Sequence, residues 1–522
     1  MKENKIAFIT SIDNEDLYEK SLSYIRKLIV PNEIEMEIIA VRNAKSMASA
    51  YNDSMHKSDA KYKVYLHQDA FIVNTNFIFD VLNVFKNNIN IGLMGMVGVK
   101  NIPLSGIWWE DFSKVGEVYD SHRGFTELLK FNEIKNKYED VKGIDGLIMI
   151  TQYNLTWRED IFNGWHFYDL SQSAEFIREG LKVIVPKQET TWCIHDCGVV
   201  NTSNGYEKYR NIFLKEYSKD VFPLVTIMIT AYNRPIYFKI ALESAINQTY
   251  MNIEIVVCDN STNNECNNVI EPFLKEYKNI RYYKNEIELE VIDNFQKCIS
   301  LSKGKYICFL MDDDILHISK IEVMIHYLIE DSTIALVTSY RQVIDENGNE
   351  RGTLVATRRL FPIPTRLTGK RVRDIILKDK MNVLGETTVP LFRRKDIFGL
   401  GFGIYLERQY KAIADVATWL SLLTNGDMIY LPQTLNYFRI HGGQDQQRIK
   451  TILIGSLEWF YLVKDSFEKG FVDSENDLLI LLKDWFEKSN YYINGLIRKN
   501  NLENTEEAKE LYQAFNYIKT LK

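Results

Sequence analysis

Short apolar runs alternate with helical-period segments from the start of this chain. Ile6-Ala7-Phe8-Ile9-Thr10 reads as a strand, Leu17 to Leu28 as an amphipathic stretch, and Met36-Glu37-Ile38-Ile39-Ala40-Val41 as a second strand. A helical segment through Met47 and Tyr51 leads to a third run, Tyr62-Lys63-Val64-Tyr65-Leu66. Strands alternating with helices predict a mostly parallel sheet with helices on both faces. The plan then repeats. Val225-Thr226-Ile227-Met228-Ile229 and Ile253-Glu254-Ile255-Val256-Val257 read as strands around a helix through Ile240 to Ile246, and Tyr306-Ile307-Cys308-Phe309-Leu310 as a third strand. From about Gln446 the spacing changes: Ile449, Ile452, Leu453, Leu457, Phe460 and Val463 recur at helical intervals, as do Leu511, Ala514, Phe515, Ile518 and Leu521. The pattern therefore predicts one α/β domain over 1–215 and a second over 221–445, after a charged linker from Lys215 to Asp220 and Pro223. A helical tail over 446–522 follows, suited to packing or to homo-oligomer formation.

Each predicted domain carries the same chemistry in the same order. Asp69 closes Leu66-His67-Gln68-Asp69, Asp169 follows 100 residues later, and His195 follows Asp69 by 126. Asp314 closes Met311-Asp312-Asp313-Asp314, Asp415 follows by 101 and His441 by 127. A carboxylate at a strand end and a later histidine can share a divalent cation, and the carboxylate between them can serve as a base. Such a triple, occurring twice, argues for two homologous catalytic-type domains in tandem. Asp69 and Asp314 fall at the carboxyl ends of their strands, where open α/β sheets bind ligands.

The bulk properties narrow the partners. The chain has 522 residues, 46% of them hydrophobic, with a net charge of −7. That balance argues against nucleic acid or an anionic membrane, which select for basic surfaces. Met1-Lys2-Glu3-Asn4-Lys5 leads straight into a strand without the look of a signal peptide, and no apolar run approaches the roughly 20 residues that span a bilayer. The expected compartment is the cytoplasm. Cys258, Cys298 and Cys308 read as reduced core residues. Cys193-Ile194-His195-Asp196-Cys197 looks like part of a zinc site, but it lacks the two-residue cysteine spacing and a second ligand pair. The glycine-rich runs Gly92–Gly98 and Gly399–Gly403 lack the spacing of phosphate loops, and Arg358-Arg359, Arg366 and Lys370-Arg371 form a basic stretch that reads as a solvated face.

Several segments resemble known families. Thr230-Ala231-Tyr232-Asn233-Arg234-Pro235, Val257-Cys258-Asp259-Asn260-Ser261 and Phe309 to Asp314 resemble the family 2 glycosyltransferases of the GT-A fold. Gly385-Glu386-Thr387, Ala414 to Leu420 and Tyr437 to Gln444 match the same family. The resemblance implies that Thr230, Tyr232, Arg234 and Asp259 line a nucleotide, with Asp259 accepting a base N–H. It also implies that Asp312, Asp313 and Asp314 form the DxD-type site, with Asp314, Asp312 and His441 around Mn²⁺ or Mg²⁺. Asp415 would be the base that takes the acceptor's proton, and Glu386 the next candidate.

The first domain resembles a different group, the StrF-like glycosyltransferases named for streptomycin biosynthesis. The resemblance lies in Ala44-Lys45-Ser46-Met47, Ala50-Tyr51-Asn52, Tyr65 to Asp69, Gly106-Ile107-Trp108-Trp109, Asp145-Gly146-Leu147, Trp157 to Asp160, Gly164 to Asp169 and Trp192 to Asp196. With the repeated spacing, these residues give Asp169 as base, Asp69, His67 and His195 as metal ligands, and Thr10 and Asn43 on the nucleotide side. Two departures stand out. His67 occupies the place of the first DxD carboxylate, which suits Mn²⁺ better than Mg²⁺, and Arg42 falls where the second domain has Asp259.

The leading expectation is a metal-dependent inverting glycosyltransferase. It would use nucleotide-sugar donors, UDP-sugars first, and its two domains would act successively on a surface glycan or on a protein such as flagellin. Two other readings stay open: only the second domain is catalytic while the first binds acceptor glycan, or the chain is a carbohydrate-binding scaffold without turnover.

Overall fold

The computed structural model describes residues 1–86, 88–199, 203–443 and 448–520, so Gln444, Gln446 and Leu521 and the expected boundary at 445 lie outside the described residues. The chain divides into two compact units, Met1–Phe222 and Pro223–Lys522. Both are α/β, as the alternation of strand and helix patterns implies. Among the described residues, no helix is long and apolar enough to cross a membrane.

The main sheet of the first unit runs, in spatial order, Glu35–Arg42, Lys2–Ile12, Ala60–Leu66, Ile148–Thr151, Ile91–Gly95, Lys182–Pro186 and Tyr138–Val141. Lys2–Ile12 is parallel to both neighbours, but Ile148–Thr151 enters antiparallel to both of its own. The sheet is therefore mixed, not mostly parallel. From Ile91–Gly95 the chain reaches Ile148 through a run of short strands, without the helical crossover that parallel pairing needs. Successive residues of the first strand bury on opposite faces. Ile6 and Phe8 join one apolar cluster, while Ala7 and Ile9 join another with Tyr51, Tyr65 and Trp157. Burial on both faces explains why the strand reads as one continuous apolar run. The helix Met47–Lys57 starts where Ser46 and Ser49 cap each other reciprocally.

A second, smaller sheet contains Lys114–Asp120, Cys193–His195 and Ala70–Ile72 side by side. The stretch Lys215 to Asp220, expected as a linker, forms the last turns of the helix Tyr206–Val221. Tyr209, Phe213, Tyr217 and Val221 recur every fourth position on its buried face, an apolar stripe that the flanking charges mask in the sequence.

In the second unit the sheet order is Ile280–Lys284, Ile253–Asp259, Val225–Ala231, Tyr306–Met311, Leu391–Arg393, Ile334–Ile344, Asp427–Arg439 and Ile315–Leu316. The first four are mutually parallel. The long strand Asp427–Arg439 shifts register twice along its parallel partner after Ser339 and then pairs antiparallel with Ile315–Leu316. That carries its end back to Asp314.

The tail forms the helices Ile449–Glu468, Glu475–Lys499 and Glu506–Thr520. Their apolar stripe, including Leu453, Leu457, Phe460, Trp485, Leu511 and Phe515, belongs to the same core cluster as Tyr410 and Trp419. The face that suggested self-association is thus occupied within the unit. The tail also carries a polar anchor. Buried Glu458 accepts the backbone N–H groups of Lys411, Ala412 and Ile413 at 2.6, 2.8 and 3.0 Å, just before the helix Ala414–Leu422. Asp465 accepts Tyr410 Oη at 3.1 Å and Arg408 Nη2 at 3.2 Å. Removing the Glu458 carboxylate would leave three amides without their acceptor. Glu458→Ala should therefore lower unfolding stability by about 2–4 kcal/mol, with Glu458→Gln intermediate. Urea denaturation followed by tryptophan fluorescence checks this; an unchanged midpoint would mean that water replaces the carboxylate.

Candidate active sites

In the second unit the strand Tyr306–Met311 ends at Asp312, Asp313 and Asp314. Asp312 accepts Tyr232 N at 2.7 Å and Arg234 Nη1 at 2.8 Å. The turn that presents these donors contains Asn233 with φ 55°, in the left-handed region that Asn tolerates. Asp313 accepts the same Nη1 at 3.1 Å and lies 3.0 Å from His441 Nε2. Asp314 turns the other way, accepting Thr388 Oγ1 at 2.6 Å and Arg439 N at 3.1 Å. Burial, with Asp313 close by, pushes the Asp312 carboxyl up to about 7 and Asp314 well above the usual carboxylate range.

A cleft of about 590 Å³ opens over this cluster, lined among others by Thr230, Tyr232, Arg234, Asn260, Glu288 and His441. Asp259 is fully buried below it, with its oxygens accepting Ser261 N at 2.8 Å, Tyr282 Oη at 2.7 Å and Lys284 Nζ at 3.2 Å. It braces the loop and does not line the cleft; Asn260 takes the lining position. The expected cation site of Asp314, Asp312 and His441 does not fit as these side chains stand. Asp312 and Asp314 point apart and are engaged by protein donors, His441 turns to Asp313, and the Arg234 guanidinium supplies positive charge between Asp312 and Asp313.

Asp415 is the second residue of the helix Ala414–Leu422 and accepts Val416 N at 2.8 Å and Asn382 Nδ2 at 2.7 Å. Burial, aided by the charge of Glu386, raises it to about 6. Glu386 itself is held by Arg341 at 2.5 and 3.1 Å, which ties it into an ion pair. Arg366 of the basic stretch is paired with Asp331 and Asp427.

The first unit repeats this plan with different donors. Asp169 is the second residue of the helix Tyr168–Arg178, accepts Leu170 N at 2.8 Å, and is raised to about 7 by burial and by the nearby charge of Asp145. The two candidate bases thus occupy the same helical position. At the end of Ala60–Leu66, Asp69 Oδ1 lies 3.8 Å from His67 Nδ1 and 3.7 Å from His195 Nε2, and this buried oxygen has no hydrogen-bond partner. A buried acceptor without a donor, flanked by two imidazole nitrogens, can hold a divalent cation of the kind that takes nitrogen, such as Mn²⁺. His67 Nε2 contacts Tyr168 Oη.

Two clefts flank the cluster. One of about 360 Å³ is lined by Ser11, Asp13, Asn43, Gln68 and Asp69. The other, of about 710 Å³, holds His67, Asp169 and His195 under the aromatic rings of Trp108, Trp109, Trp165 and Tyr206. Asn43 meets the smaller cleft, with φ 57°, while Thr10 stays buried inside its strand and the following Ser11 takes the lining position. Arg42 ends its strand opposite Ile12 as Asp259 ends its strand opposite Ala231, and pairs with Glu15 at 2.6 and 2.9 Å.

The histidines are not equivalent. His195 pairs directly with Ala70, the residue after Asp69, whereas the residue after Asp314 pairs with Tyr437 and His441 lies beyond the strand. Cys193 is buried in the core with its thiol pushed up by burial, while Cys197 faces Asp120, so the two cysteines share no zinc site. Sequence reasoning passed over Asp120 and His122, which sit 2.5 Å apart beside His195. Their only signal was an aspartate closing the strand Lys114–Asp120, which by itself looks like a solvated turn.

Comparison with known proteins agrees with this duplication. Residues 7–217 match the family described as "Glycosyltransferase like family", a broader description than the streptomycin-biosynthesis likeness of the motifs, and residues 226–393 match "Glycosyl transferase family 2". An uncharacterized glycosyltransferase of Methanocaldococcus jannaschii is 35% identical over 129 residues, which is 24% of this chain and 44% of that protein. The match thus spans less than half the length of that relative. The Escherichia coli protein named UDP-Glc:alpha-D-GlcNAc-diphosphoundecaprenol beta-1,3-glucosyltransferase WfaP is 27% identical over 221 residues, 42% of this chain and 78% of that one. Among solved structures, S. aureus TarS 1-349 in complex with UDP-GlcNAc covers 56% of this chain and 90% of its own at 13% identity, with a TM-score of 0.37. With a family match in each unit and a strand-end carboxylate cluster in each, this chain is a tandem of two glycosyltransferase-family domains of the GT-A type.

Proposed function

We propose that the chain transfers sugars from nucleoside-diphosphate sugars, UDP-sugars first among them, to acceptor hydroxyls with inversion, its two domains acting in succession on one glycan or protein acceptor. The observation that carries this reading is the matched placement of Asp169 and Asp415, each the second residue of its helix and each held above the usual carboxylate range by burial. A carboxylate of that basicity takes a proton from an attacking hydroxyl more readily than an exposed one does. One base per site suffices for a single displacement at the anomeric carbon.

In the second domain Tyr232 and Arg234 hold the Asp312 and Asp313 carboxylates in place beside the cleft where the donor would lie. Arg234 is suited to meet the departing diphosphate. In the first domain His67, Asp69 and His195 would hold a divalent cation, which when bound would neutralise negative charge on the leaving diphosphate. Ser11, Asp13 and Asn43 line the neighbouring cleft and would contact the nucleotide. The intact first-domain cluster favours two active domains over one. The acidic chain and the lack, among the described residues, of a membrane-crossing helix are compatible with the proposed cytoplasmic location.

Two outcomes test this. A base must be ionised to act, so activity falls as pH drops through its pKa. With Asp169→Asn silencing the first domain, kcat/KM of the second should drop tenfold per pH unit below about 6; with Asp415→Asn silencing the second, that of the first should do so below about 7. Release of nucleoside diphosphate from a nucleotide-sugar panel reads both profiles, and flat profiles would remove these aspartates as bases. Each Asn variant should lower its own domain's kcat by about 100-fold or more while leaving nucleotide affinity within a few-fold. Collapse of nucleotide affinity instead would make the aspartate a binding residue.

For succession, the two Asn variants should leave different products by intact mass: one a bare acceptor, the other an acceptor one sugar short that the complementary variant extends. Identical full-length product from both variants would overturn the tandem reading.

A further inference from the structure

The small sheet of the first domain places three residues in a row. His195 pairs antiparallel with Ala70, next to Asp69, and parallel with Asp120 on its other side. The imidazole therefore spans from one carboxylate to the other, with Nε2 3.7 Å from Asp69 Oδ1 and Nδ1 3.2 Å from Asp120 Oδ2. Asp120 is nearly buried and collects further donors: His122 N at 2.9 Å, His122 Nδ1 at 2.5 Å and Cys197 Sγ at 3.6 Å. An ionised carboxylate can only accept, so the ring nitrogen facing Asp120 carries a proton. Nε2 is then the nitrogen left to offer a lone pair on the Asp69 side.

We propose that Asp120 is a positioning residue that holds His195 with Nδ1 protonated, so that Nε2 joins Asp69 and His67 in holding a divalent cation. This rests on the cation site assigned above to the first domain. A carboxylate behind a metal-binding histidine fixes the ring's tautomer and orientation, and its loss typically weakens metal affinity 10–100-fold. His122 and Cys197 act one step further out, by donating to Asp120 and holding it in place.

The test is a Co²⁺ titration of the full chain, followed by visible absorption. It is run in an Asp312→Asn, Asp314→Asn background so that the first domain is read alone. Asp69→Asn should abolish the binding, and Asp120→Asn should weaken it 10–100-fold, with near-UV circular dichroism unchanged. Adding Asp120→Asn to His195→Gln should weaken binding no further, because Asp120 acts through that ring. An Asp120→Asn affinity within twofold of its parent, or additive losses in the double variant, overturns the proposal while leaving the cation site standing. Undiminished binding in Asp69→Asn overturns the cation site itself.

A thiolate-to-cobalt charge-transfer band that disappears in Cys197→Ser would put the ion between Asp120, His195 and Cys197, whose donor atoms all lie within 4.8 Å of one another, and would also overturn the proposal. Should the Asp120 variant not fold, ¹⁵N NMR of histidine rings in the Zn²⁺-loaded protein decides. Protonation of His195 at Nδ1 is expected, and protonation at Nε2 overturns it.

Discussion

Both candidate sites depend on a distal strand returning to the carboxyl end of the strand that carries the carboxylates. In the first unit Cys193–His195 pairs with Ala70–Ile72, and in the second Asp427–Arg439 pairs with Ile315–Leu316. Each short partner begins immediately after the acidic segment, so backbone hydrogen bonding brings residues over a hundred positions away next to Asp69 or Asp314. Because side chains alternate between strand faces, register decides which residue arrives. One register brings His195 to Asp69; the other brings the Arg439 amide to Asp314 and leaves His441 to reach Asp313 from the following loop.

This difference separates the electrostatics of the two clusters. Carboxylates grouped in a buried place need positive charge or donors, or they take up protons. The second unit supplies a guanidinium, backbone amides and a hydroxyl from its own chain, and burial still pushes Asp312 and Asp314 above the usual carboxylate range. The first unit leaves Asp69 Oδ1 without a donor and surrounds it with imidazoles that are themselves gripped from behind by Tyr168 and Asp120. Burial lowers the basicity of His67, whereas at His195 the hydrogen bond to Asp120, with help from Cys197, overcomes burial and raises it. One cluster is closed by protein donors, and the other leaves a buried carboxylate oxygen open between two imidazoles.

The helices that carry Asp169 and Asp415 are supported differently as well. A helix N-terminus favours an acid in its first turn, yet at Asp169 and Asp415 burial outweighs that pull and keeps the carboxyls near neutrality. The segment leading into the Asp415 helix is pinned by Glu458 from the tail, and the core of the tail is continuous with that of its unit. The helices after residue 448 are thus part of the scaffold that orients the second site.

Local patterning carried the two α/β units and the strand-end carboxylates into view from the sequence, while the repeated spacing and the family resemblance pointed to Asp169 and Asp415 without showing the helices that carry them. Apolar runs and their polar terminations are properties of neighbouring residues. The repeated spacing also pointed to His195 and His441, but as equals, and it could not tell that they arrive in different registers. Other features depend on partners remote in the chain. Asp259 looks like a cleft residue until Tyr282 and Lys284 turn it inward, and the stretch Lys215 to Asp220 looks like a linker until Tyr209, Phe213 and Tyr217 bury one face of its helix. Asp120 carries no signal of its own. It acquires one only when strand pairing sets it beside His195, 75 residues further along, and such long-range pairing is what tertiary structure alone decides.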